Sequence, residues 1–554
     1  MKFKSNLVTL IVIFLSGALS VLNAESSICK IDYTKKIINI DQNSLVDIEF
    51  KSSRKEAAPF EVEFTAICTS ETGEKVSIPC FYNGDNKWIL RFSSNKPGKW
   101  EFITESSNRS LNNRKGTINV IPDPQSKGGI VRGKNEKSNR FYYEDGSPYF
   151  LMGFECDFLF ALNYNNENET PELDNFLNSV DKYGFNHIVM NVYAHDVQWK
   201  KDEKLSKYPQ YEFGELMSIY PFGGDNKNPD FSTLNVEFFE KLDRVMAKLD
   251  EREIISHLMI YVWNKDVNWP DGYTVEDNRY FDYVVKRYQA FPNIMWDISK
   301  EALFYGRVDD AYIIDRIKRL RSLDAFKRQL TVHDYGFCVR NNELLDFIST
   351  QDWNLGLYDL MHSVYNKFPN QPTYNIEHGG YERSDFEVFP GNYTYSETCL
   401  RRCYESLFAG TYATHYWQGC SWNVLVYDWF NLDPADHYIP KFEYYDYLTN
   451  FFEKYPFSEF VPLRNQNNSG YCMTNNKGTI LYYLPKESYT FKSIGIKKGL
   501  ENMRYRWFNT TTGEFTEYKK MTEADEWFLP SAPFYMESDA IFILEGTPKK
   551  TSNN

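Results

Sequence analysis

The sequence predicts a (β/α)8 barrel set between two β-sandwiches. Three observations carry that prediction. From about 149 to 440, eight short apolar runs alternate with amphipathic segments of helix length. Up to about 125 the pattern has period two, and beyond about 455 it becomes strand-like again. Buried runs separated by helical stretches are what parallel strands and their crossovers require. A doubly wound open sheet is the other architecture this alternation allows.

Each segment can be justified in turn. Residues 1–24 carry Lys2 and Lys4, an apolar run from Leu7 to Leu15, and small residues ending at Ala24. That is the pattern of a signal peptide cleaved after Ala24, so we expect a secreted or periplasmic protein. The run is shorter than the roughly 20 residues that cross a bilayer, so no membrane span is expected in the mature form. Residues 25–125 contain "PFEVEFTAI" and "KWILRFSSNKPGKWEFITE", alternating strands turned at Pro97-Gly98. We read an antiparallel sandwich there. "PDPQSKGG" is a linker by composition, and Asp145-Gly146 centres a hairpin leading into the next domain.

The barrel is assigned to 126–450. Its strands are "PYFLMGFE", "FNHIVMNVY", "IISHLMIYVW", "NIMWDIS", "RQLTVHD", "LLDFIST", "PTYNIE" and "ATHYWQG". Among the helices, Val236, Phe239, Leu242, Val245, Met246 and Leu249 share one face. Residues 451–554 hold "GTILYYLP", "MRYRWFNTTTGEF" and "DAIFILEG", read as a second sandwich.

A net charge of −14 argues against nucleic acid or anionic lipid as partner. Aromatic residues at 17% exceed what a core needs and suggest stacking surfaces. Of nine cysteines, Cys68 and Cys80 lie on neighbouring strand-like runs and are placed to bridge. Cys399 and Cys403 read as buried thiols on a helix. No HExxH, paired CxxC, GxSxG, GxGxxG or Walker loop occurs, so neither metal nor cofactor is expected. We expect a monomer.

In such barrels the chemistry sits at the carboxyl ends of the strands. Those ends supply Glu155 and Asp157, His195, Trp263 and Lys265, Glu301, His333 and Asp334, Gln351, Asp352 and Trp353, Glu377 and His378, then Trp417 and Trp422. Indole faces stack on sugar rings, and carboxylates bind hydroxyls and move protons. Glu301 ends strand four and Glu377 ends strand seven. Two carboxylates across the barrel mouth can divide glycosidic cleavage between an acid/base and a nucleophile.

Here the sequence resembles the clan of retaining (β/α)8 glycoside hydrolases. "NIMWDISKEA" is similar to its acid/base segment and "PTYNIEHGGYE" to its nucleophile segment. "DGSPYFLMGFECDFLFAL" and "NPDFSTLNVEFFEKLD" resemble the apiosidase-like branch of secreted glycosidases, many of which carry sandwiches at both ends. The resemblance implies Glu301 as acid/base and Glu377 as nucleophile, about 5–5.5 Å apart. Asp157, His195, Trp263, His333, Asp334, Asp352, Trp353, Trp417 and Trp422 would hold a carbohydrate substrate.

The clan usually has Asn before its acid/base glutamate, to contact the sugar 2-hydroxyl; here that residue is Lys300. We expect Lys300 to point away from the pocket, because an ammonium beside the acid would favour its ionised form. Proximity should keep Glu301 protonated while Glu377 is ionised. Against this stands a carbohydrate-binding protein on a catalytically dead barrel. Glu301 would then be an ordinary helix-start acid, Glu377 an ion-pair partner, and the tryptophans core residues.

Overall fold

The computed structural model describes residues 28–133, 138–166, 170–195, 219–378, 395–416, 441–463, 471–486, 502–522, 531–534 and 537–546. The expected signal peptide, Trp417 and Trp422 lie outside them.

Eight parallel strands form the central sheet: β1 (Met152–Glu155), β2 (His187–Asn191), β3 (Ile255–Val262), β4 (Ile294–Lys300), β5 (Leu330–His333), β6 (Ile348–Gln351), β7 (Thr373–Glu377) and β8 (Tyr412–His415). Their order in space is β5-β4-β3-β2-β1-β8-β7-β6. The ring closes between β5 and β6, where Asp346 N donates to Leu330 O at 2.9 Å and Thr331 Oγ1 to Phe347 O at 3.0 Å. Nearly every strand residue is buried, as parallel strands covered on both faces require. This is a TIM barrel, and the open-sheet alternative falls.

The helices are α1 (Pro171–Lys182), α2 (Val236–Glu251), α3 (Val275–Tyr288), α4 (Asp310–Leu323), α5 (Tyr335–Arg340), α6 (Leu357–Lys367), α7 (Ser396–Phe408) and α8 (Glu443–Lys454). Asn235 starts α2 by accepting from Phe238 N at 3.3 Å, satisfying one amide that the helix leaves open. Phe238, Phe239, Leu242, Val245, Met246 and Leu249 then bury the inner stripe.

The N-terminal region pairs a four-stranded sheet with a five-stranded one. It is not purely antiparallel: Cys29–Asp32 runs parallel to Val46–Lys51, and Ile37–Asp41 parallel to Lys115–Ile121. Cys68 and Cys80 do not bridge; both are free and buried. The strand register explains this, since Cys68 pairs with Val76, four residues short of Cys80. In the C-terminal region the described strands form one six-stranded antiparallel sheet. Its inner face joins the barrel core through Leu481, Tyr483, Phe508, Ile541 and Ile543.

The N-terminal region docks through buried charge. Arg91 meets Asp47 at 2.8 Å and Asp243 of α2 at 2.8 Å, and donates to Arg287 O of α3 at 2.9 Å. Arg287 closes the network on Asp243 at 2.7 Å. Every cation in it has a carboxylate, which is the condition for keeping buried charge.

Candidate active site

The site is built on a polar layer inside the barrel. Asp297 of β4 accepts from His257 Nε2 at 3.1 Å, from Ser299 N at 3.1 Å and from His333 N at 2.9 Å. Behind it, His257 Nδ1 meets His187 Nε2 at 3.2 Å, and His187 Nδ1 meets Tyr149 Oη at 3.2 Å. The same Tyr149 hydroxyl lies 3.2 Å from the Asn186 carbonyl oxygen, to which it donates.

Above Asp297 the β4–β5 pairing slips, between Asp297 and Lys300. A one-residue slip exchanges inward and outward side chains. Lys300 therefore points into the mouth, which corrects the expectation that it faces away. Its ammonium is 1% exposed and bonds Glu155, lying also 3.4 Å from Glu377 Oε2 and 3.7 Å from Asp157 Oδ2. Asp157 is held further by Lys265 at 2.9 Å and by Asn191 Nδ2 at 3.0 Å. Burial works against the charge on Lys300, but Asp157, Glu155, Glu377 and Glu301 more than offset it, and Lys300 stays protonated.

Glu377 ends β7. Its Oε1 accepts from Gln351 Nε2 at 3.1 Å, and the Gln351 carbonyl accepts from His333 Nε2 at 3.1 Å. Burial keeps His333 neutral, with Lys300 adding to the effect. Its Nδ1 is buried with no hydrogen-bond partner. Burial pushes the Glu377 carboxyl up to about 7; Lys300 opposes that rise and Glu301 adds to it. Glu377 is thus fully ionised only above about 7, whereas we had expected the upward shift on its partner. Burial also holds Glu155 well above the usual carboxylate range, against the pull of Lys300.

Glu301 follows β4 directly, with a left-handed backbone at φ 59°. A glutamate held there costs about 1–3 kcal/mol, a strain that collects at working sites. Its amide donates to His333 O at 3.3 Å, its carbonyl accepts from Tyr305 N at 3.1 Å, and its Oε2 is buried without a hydrogen-bond partner.

The other candidates divide. Asp157 and His333 join the two glutamates. Trp263 is half-buried with its Nε1 unpartnered, and stacks near Tyr261 at 6.1 Å. His195 sits at the end of β2, its amide bonded to Lys265 O at 3.0 Å and its Nδ1 3.3 Å from Tyr193 Oη. Trp353 is buried, edge-on to Tyr416 at 5.6 Å. Asp334 and Asp352 are turned to local work. Asp334 caps α5 through Phe337 N at 2.9 Å, and Asp352 accepts from Asn354 N at 2.8 Å. Sequence reasoning noted Glu155, Lys265 and Gln351 at strand ends but gave them no role; their signal was position alone. It likewise gave no role to Phe304, 81% exposed, and Tyr305, 46% exposed, an edge-on aromatic pair just beyond Glu301. Among the described residues no group of His, Cys, Asp and Glu is arranged to hold a metal ion.

The family described as the apiosidase-like catalytic domain matches residues 135–458, more than half the chain.

The chain belongs to the apiosidase-like family.

A domain of unknown function, DUF5060, matches residues 39–107 in front of the apiosidase-like part. No curated protein matches. A crystal structure of a candidate glycoside hydrolase from Bacteroides vulgatus is similar in fold, with TM-score 0.70 at 19% identity over 92% of this chain and 100% of that one. A family 5 glycoside hydrolase of the same organism gives 0.53 at 18% identity over 76% of this chain and 94% of its own. The apiosidase-like match and the shared fold support a hydrolase of glycosidic bonds.

Proposed function

We propose that this apiosidase-like protein is a retaining glycoside hydrolase of poly- or oligosaccharides, with Glu377 as nucleophile and Glu301 as acid/base. The observation that carries the reading is the pair of glutamates at the ends of β4 and β7, close enough that Glu301 raises Glu377. Glu377 attacks the anomeric carbon as the bond to the leaving oxygen breaks, and Glu301 gives that oxygen its proton. Glu301 then takes a proton from water. The water oxygen attacks the anomeric carbon, and Glu377 leaves. Retention needs the carboxyls about 5–5.5 Å apart. His333 and Trp263 offer the sugar an acceptor and an aromatic face, and Asp157 braces the lysines beneath them.

An NMR time course on a cleaved substrate tests this. The first product should keep the anomeric configuration of the substrate; inversion would reject the mechanism. A second reading has one observation behind it: the Lys300–Glu377 contact at 3.4 Å is also what a retired nucleophile would show. Binding on glycan arrays without turnover of any aryl glycoside would favour that non-catalytic reading. Export is proposed on the Lys-flanked apolar run alone, and a secreted protein beginning near Glu25 would support it. No helix among the described residues is long and apolar enough to cross a membrane.

A further inference from the structure

The mouth of the barrel holds more charge than two glutamates need. Around the buried ammonium of Lys300 stand Glu155 from β1, Asp157 just beyond it, Glu301 beyond β4 and Glu377 from β7. Lys265 from the segment after β3 pairs with Asp157 at 2.9 Å, His333 of β5 comes within 4.0 Å of Glu377, and Tyr416 follows β8 with the same carboxylates about it. Lys265 pairs with Asp157 and acts on Glu377 from further off, and among the described residues Lys300 makes the ion-pair contact with it, at 3.4 Å from Oε2. The other oxygen is held by Gln351 at 3.1 Å. Gln351 thus bonds one carboxylate oxygen, while the other has no hydrogen bond and faces the Lys300 ammonium across 3.4 Å.

We propose that Lys300 is a positioning residue for Glu377: its ammonium, anchored by Glu155 and Asp157, favours the charged form of the Glu377 carboxyl against its burial and aims it, while Gln351 fixes its rotation. The anchoring explains how a lysine is tolerated here. Glu155 bonds the ammonium and Asp157 lies 3.7 Å from it. The residue that the clan gives to a sugar hydroxyl is spent in this chain on the nucleophile's charge. Its consequence for turnover rests on the glycosidase reading; the contact itself does not.

Two arms test it. In protein labelled with carboxyl-13C glutamate, the Glu377 resonance is assigned by its loss in Glu377→Gln and followed against pH. Lys300→Met should move its midpoint upward from about 7 by at least about one unit, because a buried carboxyl has lost its cation. Lys300→Arg should restore most of the shift. An unmoved midpoint in folded Lys300→Met overturns the proposal. If Lys300→Met does not fold, the wild-type titration decides: a midpoint near 7 or below supports the tether, and one near about 9, where a buried carboxyl with no cation goes, overturns it. In the kinetic arm, the acidic limb of the kcat profile should shift upward by the same amount with KM unchanged; a uniform loss at all pH values would overturn it. Absence of turnover in the wild type would sink the glycosidase reading alone, since the NMR arm needs no substrate.

Discussion

Glu377 is the residue on which most turns. Replacing it with Gln should lower turnover of every substrate by on the order of 10³-fold or more, because no covalent route remains. The same change should alter stability in a pH-dependent way. The folded carboxyl is raised from 4.5 to about 7, so the folded state binds its proton more tightly than the unfolded chain. Stability from this group is present below 4.5 and is lost as pH rises through about 7. Glu377→Gln escapes that loss, and its melting temperature relative to wild type should rise between pH 5 and pH 8. A constant difference across the range would contradict the raised carboxyl. Turnover itself should climb as pH passes upward through about 7, where the nucleophile ionises. Glu301→Ala, by contrast, should keep slow activity on substrates with acidic leaving groups, partly rescued by azide. Equal damage on activated and unactivated substrates, with no azide effect, would remove Glu301 from the role.

At the scale of elements, the irregular top of β4 decides what reaches the site. Asp297 pins that irregularity through two backbone amides and His257. Asp297→Ala should destabilise the protein by about 3–5 kcal/mol, since it strands buried donors, and should slow turnover further as Lys300 and Glu301 lose their support. Urea titration with a loss under about 1 kcal/mol would show the layer to be dispensable. This is also where the sequence stopped being legible. All eight strands could be read, because a parallel strand covered on both faces needs a short apolar run and helices separate the runs. That reading put Glu301 and Glu377 at strand ends. It could not place Lys300, since period-two alternation assumes a regular ladder and the slip beside Asp297 depends on hydrogen bonds from β3 and β5, made by residues distant in sequence. Asp334 shows a related limit: an aspartate after a strand is equally a helix cap, and here it caps α5.

For the molecule as a whole, stability should depend on the charged joint beneath the barrel. Burial would raise Asp243, but Arg287 and Arg91 outweigh it and hold the carboxyl at about 2. A depressed carboxyl stabilises the fold above its unfolded value of 3.8, and that contribution is lost as pH falls towards about 2. Acid unfolding of the wild type should therefore steepen between pH 4 and pH 2, and Asp243→Asn should flatten it; identical acid limbs would rule the joint out. Removing the chain up to Pro122 takes Arg91 from Asp243 and leaves that carboxylate with Arg287 alone, so the shortened protein should be less stable to urea than the full chain; equal stability would rule the joint out. The same joint bears on ancestry. Asp47 and Arg91 come from one region and Asp243 and Arg287 from the other, each region pairing its own charges while Arg91 to Asp243 ties the two together. A chance change on one side is penalised until the opposite side changes too. Such a seam resists recombination, so the front region and the barrel are expected to pass between genomes as one heritable unit, unlike modules strung on a loose linker.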